Sequence, residues 1–272
     1  MSFTSWRWVS LRTRIFVISP DSGITPEELV IKITSRGFKG IVKETCFGAI
    51  VEGEEDEVSK LTEYIREYFQ FAVFSKERGY PVGDKRICRA ERGGGPRPGL
   101  YQIQYEAELL PLIASALREL GVKPNNTVKS PKKVLIFPLN SLILADLIER
   151  AGHIPLTAMS AVGKLVRDPL LDSPPRNITS EHVTRGLKYL SVEMPSGIRG
   201  RLGAFDELIE EAQGAILCNY DLSFGCDGCQ HINSLIYIVK SMGIPHIRLS
   251  LPRNLEESKG FVKNILEFLS DL

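Results

Sequence analysis

Three cysteines fall within twelve positions in Cys218-Asn-Tyr-Asp-Leu-Ser-Phe-Gly-Cys226-Asp-Gly-Cys229-Gln-His231. The stretch follows an apolar run, Ala215-Ile-Leu, and precedes another that starts at Ile232. In an open α/β sheet such a strand-to-helix corner lies at the carboxyl edge, where ligands bind. A C-x-x-C that opens a helix also sets its thiols near the positive end of the helix dipole, which favours thiolate. The spacing of Cys226 and Cys229 suits a tetrahedral zinc, one edge of an Fe–S cluster, or a thiol–disulfide couple. Two cysteines do not complete a metal site, so Cys218, His231 or a partner's cysteine would have to finish it. The structural alternative packs Cys218 as a small hydrophobe and treats the C-x-x-C as a compact, glycine-assisted turn. Of the remaining cysteines, Cys46 reads as core at the start of a strand, and Cys88 lies in an arginine-rich loop.

That loop is the second feature with chemistry. Residues 79–99 are dense in glycine, proline and arginine, with Lys85, Arg86, Arg89, Arg92 and Arg97 around Gly93-Gly-Gly-Pro. Guanidinium groups grip phosphates and carboxylates in two-pronged fashion, so the loop reads as a contact surface, with a solvated loop as the alternative. Arg199 and Arg201 stand in Pro195-Ser-Gly-Ile-Arg-Gly-Arg201, read here as a Gly/Arg turn able to offer N–H groups and guanidinium to an anion. No G-x-x-x-x-G-K-[ST] occurs, nor a G-x-G-x-x-G opening a helix after the first strand of either half, so no nucleotide cofactor is implied. His153, His182 and His246 have no nucleophile or carboxylate at a telling spacing, and a hydrolase triad cannot be argued.

The elements that must position these residues form two groups. Arg14-Ile-Phe-Val-Ile is a β-branched run, and Thr25-Pro-Glu-Glu supplies a cap, a first-turn proline and early acids for a helix. Two strands between Gly40 and Gly53, a helix opened by Glu54-Glu-Asp-Glu and a strand at Phe71-Ala-Val-Phe complete β-α-β-β-α-β, the ferredoxin-like order. A helix over 110–120 follows, with Pro111 placed in its first turn. Residues 121–132 are a polar linker. Beyond it, strands at Val134-Leu-Ile-Phe, Ala215-Ile-Leu-Cys-Asn and His246-Ile-Arg-Leu-Ser alternate with helices over 141–151, 180–187, 205–213, 232–242 and 255–269. That alternation predicts a Rossmann-like parallel sheet covered on both faces. The expected organisation is therefore α+β followed by α/β: a ferredoxin-like domain over 13–120, a linker over 121–132 and an α/β domain over 133–272.

Composition excludes some partners. Lys+Arg and Asp+Glu are 34 against 33, so no global charge draws the chain to nucleic acid or membrane. No apolar run reaches the roughly 20 residues of a transmembrane helix, and the first twelve residues lack a signal-peptide core. The expectation is a cytoplasmic protein with reduced thiols. Ile15-Phe16-Val17 and Phe47-Gly48-Ala49-Ile50 faintly echo the aromatic strands of RNA-recognition domains. Ala49 stands where a stacking ring is wanted, and Phe16 and Phe47 read as core.

The second half carries Phe137-Pro-Leu-Asn-Ser-Leu-Ile-Leu-Ala-Asp-Leu-Ile-Glu-Arg-Ala-Gly-His153, Asp172-Ser-Pro-Pro, Arg185-Gly-Leu-Lys-Tyr, Pro195-Ser-Gly-Ile-Arg-Gly-Arg201 and Phe224-Gly-Cys-Asp-Gly-Cys229. It resembles methanogenesis marker protein 5. The first half, including Gly79-Tyr-Pro-Val-Gly-Asp84, resembles methanogenesis marker protein 6, so the chain looks like a fusion of the two. The resemblance implies an archaeal accessory protein that assists maturation or reductive activation of methyl-coenzyme M reductase, with that enzyme or its activation proteins as partners. It carries over the Gly-Cys-x-Gly-Cys motif but no catalytic residue. Gln230-His231 stands where the family is expected to have Arg-Thr, and Cys218 is not a family feature. The alternatives are a thiol–disulfide oxidoreductase using Cys226 and Cys229, and a metal-free scaffold.

Overall fold

The computed structural model describes residues 10–84, 100–166, 178–219 and 227–272. Its first sheet has the order β2-β3-β1-β4, all antiparallel, built from β1 (Leu11–Ile18), β2 (Ile41–Thr45), β3 (Gly48–Glu54) and β4 (Val73–Glu77). Helix α1 (Pro26–Ser35) joins β1 to β2 and α2 (Glu55–Phe69) joins β3 to β4, which is the ferredoxin-like arrangement. The start of α1 is fixed locally. The Glu28 N–H donates to Thr25 Oγ1 at 3.1 Å and the Thr25 N–H donates to Glu28 Oε2 at 2.9 Å, a reciprocal capping box. Strand alternation sends Phe16, Ile18, Ala49 and Val51 toward α1 and α2, and Ile15, Val17, Ile50 and Phe74 to the other face.

The second sheet is parallel, in the order β6-β5-β7-β8, from β5 (Lys133–Phe137), β6 (Ile154–Leu156), β7 (Gly214–Asn219) and β8 (His246–Ser250). Helices α4 (Leu142–Arg150) and α10 (Leu255–Ser270) pack with Val134, Ile136 and Ile216 on one face. On the other, Leu135, Ala215 and Leu217 meet side chains of α7 (Ser196–Ala204), α8 (Asp206–Glu211) and α9 (Asp227–Ser241). Helices α5 (Ala158–Val166) and α6 (Ser180–Arg185) complete the set.

The two sheets share one core. Helix α3 (Leu100–Glu119) places Leu110, Ile113 and Leu117 beside Ile15, Val17 and Phe74 of the first sheet and beside α4 and α10 of the second. The face that an RNA-recognition domain would leave open is thereby covered, and Phe16 is fully buried on the opposite side.

A buried ionic network crosses the same contact. Asp146 of α4 is fully buried between Arg66 of α2 (Nη2 to Oδ1, 2.8 Å) and Arg150 of its own helix, whose Nε donates to Oδ2. Strand β4 is the edge of its sheet, and α4 takes up its free backbone groups. The Ser75 N–H donates to Asp146 Oδ1 at 3.0 Å, and Arg150 Nη2 donates to the Val73 carbonyl at 2.8 Å. Glu149 accepts from Arg66 Nη2 at 2.7 Å and from Arg14. Burial alone would raise the Asp146 carboxyl, but the guanidiniums of Arg150 and Arg66 outweigh it and hold the group below the usual carboxylate range.

Residues 121–132 are tied to both halves. Arg150 Nη1 donates to the Pro124 carbonyl (3.2 Å), the Asn126 N–H to the Arg150 carbonyl (2.9 Å) and Asn125 Nδ2 to the Glu63 carbonyl (3.2 Å). The Lys132 N–H donates to His153 Nδ1 at 3.1 Å.

Three local expectations are corrected. Helix α3 starts at Leu100, so Pro111 sits in its interior. Packing of α3 between the sheets outweighs the hydrogen bond that proline forfeits. Pro195–Arg201 is not a turn: from Ser196 it is helix α7. Of its two glycines, Gly200 serves close contact, since a Cβ there would collide with the Ile178 side chain, while Gly197 faces open space; just beyond, a Cβ at Gly203 would collide with the His182 carbonyl. Cys46 is exposed in the hairpin between β2 and β3, because the turn lifts it off the core face. Among the described residues no helix is long and apolar enough to cross a membrane.

Removing one partner of a buried ion pair strands the other. Asp146→Ala should therefore cost about 3–5 kcal/mol in denaturant unfolding. Because the folded Asp146 pKa is depressed, its contribution is complete above pH of about 4 and lost as pH falls through the depressed value. Acid unfolding should accordingly shift to higher pH in the variant, and an unchanged acid midpoint would contradict the network's role.

Candidate functional site

Strand β5 connects to β6 on one side and lies beside β7 on the other, so the topological switch point is between the carboxyl ends of β5 and β7. Three segments meet there: Phe137 to Ser141 after β5, Asn219 at the end of β7, and α9, which opens at Asp227. Cys229 occupies the first turn of α9 and His231 the turn's end. Cys226, and the side chains of Cys229 and His231, lie outside the described residues. The parallel pairing of β7 with β5 is what brings the carboxyl end of β7 to this crevice.

The first half also reaches into it. Lys76 of β4, almost wholly buried, donates from Nζ to the Asn140 carbonyl and, at 3.0 Å, to Asn140 Oδ1. Glu106 of α3, fully buried, accepts at Oε2 from the Leu142 N–H and from the Ile143 N–H at 3.0 Å. Ser141 Oγ accepts from the Leu144 N–H at 3.1 Å. In nucleotide-binding sheets this first helix N-terminus holds phosphate on its free N–H groups. Here those groups are taken by Glu106 and Ser141, which agrees with the missing nucleotide motifs.

Cys218 is buried beneath the crevice, within the core shared by the sheets. Burial raises its thiol pKa far above the ordinary range, and the nearby Glu106 charge adds to the shift. A thiol so placed stays protonated, which weighs against thiolate ligation by this residue.

The arginines are distributed unevenly. Arg86, Arg89, Arg92, Arg97 and Cys88 lie outside the described residues. Arg199 spends Nη1 on the carbonyls of Ser191 (3.2 Å), Val192 (2.8 Å) and Met194 (3.3 Å), closing the loop ahead of α7. Arg201 is exposed on the same helix. The described histidines make local contacts: His153 Nδ1 with the Lys132 N–H, His182 Nδ1 with the Thr179 N–H, and His246 Nδ1 with the Ile244 carbonyl. Among the described residues no group of three His, Cys, Asp or Glu side chains could hold a metal ion.

Sequence reading overlooked Lys76, Glu106 and Asn140. The one available signal was polar residues in otherwise apolar elements, Lys76 beside Phe71-Ala-Val-Phe and Glu106 in the core-forming α3.

Native labelling with iodoacetamide should modify Cys46 readily and leave Cys218 untouched until the chain is denatured, as read by peptide mass spectrometry. Labelling of native Cys218 at the rate of Cys46 would contradict its placement.

Residues 132–272 match a family described as "Uncharacterized protein conserved in archaea (DUF2112)", and residues 15–118 match a second, "Uncharacterized protein conserved in archaea (DUF2102)". Two similar proteins come from Methanocaldococcus jannaschii. "Uncharacterized protein MJ0404" is 50% identical over 143 residues, which is 52% of this chain and 95% of that protein. "Uncharacterized protein MJ0498" is 44% identical over 128 residues, 46% of this chain and 82% of that protein. No solved structure matches.

Proposed function

We propose, from the premise that this chain belongs to the archaeal family DUF2112 and carries a DUF2102 segment ahead of it, that it is an accessory protein of methanogenesis. In this reading it docks on methyl-coenzyme M reductase or the proteins that activate it, and Cys226 and Cys229 act as a metal-binding or redox pair. The observation that carries the reading is the position of α9, whose first turn holds Cys229 at the switch point of the parallel sheet. A helix N-terminus stabilises thiolate there, and the carboxyl edge is where such sheets take ligands. Relatives in a methanogen and the resemblance to methanogenesis marker proteins 5 and 6 support the setting.

Two thiolates at this spacing supply half of a tetrahedral zinc site or one edge of an iron–sulfur cluster. The buried, protonated Cys218 is a poor third ligand, so the remaining ligands would come from the docked partner or from His231. Arg86, Arg89, Arg92 and Arg97 would supply contacts to an acidic partner surface.

A thiol–disulfide oxidoreductase is the second reading, favoured by the same helix position of Cys229. One thiolate attacks a substrate disulfide and expels a substrate thiolate. The other cysteine then attacks the mixed disulfide, so Cys226 and Cys229 end oxidised and the substrate reduced to two thiols.

The test is an anaerobic affinity recovery of the tagged chain from its native host, beside the Cys226→Ser/Cys229→Ser variant, with iron and zinc quantified. The proposal expects co-recovery of the reductase or its activation proteins, with metal that falls in the variant. A lone, metal-free wild-type chain overturns it. A mixed disulfide trapped when only the resolving cysteine is removed would instead establish the oxidoreductase.

A further inference from the structure

We propose that the contact between the two sheets is a subunit interface retained after fusion. The DUF2112 half is the docking platform for a DUF2102 protein, which completes the platform's carboxyl edge. The inference rests on geometry and similarity, and not on the thiolate reading.

The two families match separate segments, 15–118 and 132–272, so α3 belongs to one and α4 to the other. The Methanocaldococcus relatives are aligned over 95% and 82% of their own lengths while covering only about half of this chain. Proteins of half this length therefore exist, and their counterparts of the surfaces joined here need an occupant.

The chemistry of those surfaces names it. Separated from α3, α4 would leave the Leu142 and Ile143 N–H groups without the Glu106 carboxylate. Separated from α4, edge strand β4 would leave the Val73 carbonyl and Ser75 N–H without Arg150 and Asp146. Each half thus carries the groups that satisfy the other, across a contact whose middle is apolar side chains such as Val17 and Phe74 against α3 and α4. Unpaired backbone groups and an open sheet edge are costly to bury and hazardous to expose, so the surface fits its counterpart rather than water. Positions 127 and 129–131 of the connection are exposed, so a cut there leaves the contact itself intact.

The test places a protease recognition sequence after Lys129 in the full chain, cuts it, and follows the products by native mass spectrometry and size exclusion at low micromolar concentration. The expected result is one particle containing both fragments, with the uncut chain's circular dichroism. Arg150→Ala in the cut chain should raise the dissociation constant at least about tenfold, while the uncut variant remains folded. Glu106→Ala takes its place if Arg150→Ala fails to fold uncut. Cutting the Cys226→Ser/Cys229→Ser chain should leave association unchanged, which separates this inference from the cysteine chemistry. Wild-type fragments that elute apart or precipitate on cutting overturn it, as do variants with undiminished affinity.

Discussion

Asp146 is a carboxylate with no access to water, and it is tolerable only because Arg66, Arg150 and the Ser75 N–H surround it. Such a group specifies geometry more than it adds stability, because desolvating the charges offsets much of their attraction. The requirement that Arg66 on α2, Ser75 on β4 and Arg150 on α4 all converge fixes where the parallel sheet sits against the antiparallel one. The apolar core of α3, α4 and α10 then fills the space that this placement defines. The hydrophobic part drives the contact, and the ionic part selects its register.

That register has a consequence for the crevice above β5 and β7. Lys76 and Glu106 arrive from the first half and fasten the Asn140 turn and the start of α4. The region where a nucleotide-binding sheet would hold phosphate has become a structural joint. The neighbouring carboxyl end of β7 and the first turn of α9 lie outside that joint. The fold therefore keeps the strand order of a doubly wound sheet while closing its first helix N-terminus with Glu106 of the other half and its own Ser141.

The local signals in the sequence were sufficient for the secondary elements that depend on them. Thr25-Pro26 with Glu28 announced α1, the acids before Val58 announced α2, a β-branched run marked β1, and apolar runs marked β5 and β7. Elements held by tertiary packing were not legible. Residues 100–109 precede a proline that normally ends or begins a helix, and only the surrounding core carries α3 through it. Strand β6 has three residues, too few for any periodicity. Gly197 and Gly200 suggested a Gly/Arg turn, because close approach of α7 to Ile178 and to Val183 of α6 at Gly200 needs the same residue type. The joint core was the largest omission. Arg66 and Asp146 are far apart in the chain, and a charged residue in an amphipathic helix ordinarily signals a solvated face. At the candidate site the C-x-x-C was visible from spacing alone, whereas Glu106 and Lys76 acquire meaning only once the two sheets are together.

Native-state hydrogen exchange across a denaturant series reads this account most directly. The Ser75 amide reports the Asp146 contact, and the Leu142 and Ile143 amides report Glu106. If one shared core holds both sheets, these amides merge onto a single opening isotherm that coincides with global unfolding. Exchange of all three amides through a shared opening of lower energy than global unfolding would show two independently stable halves that part at the contact, and contradict it.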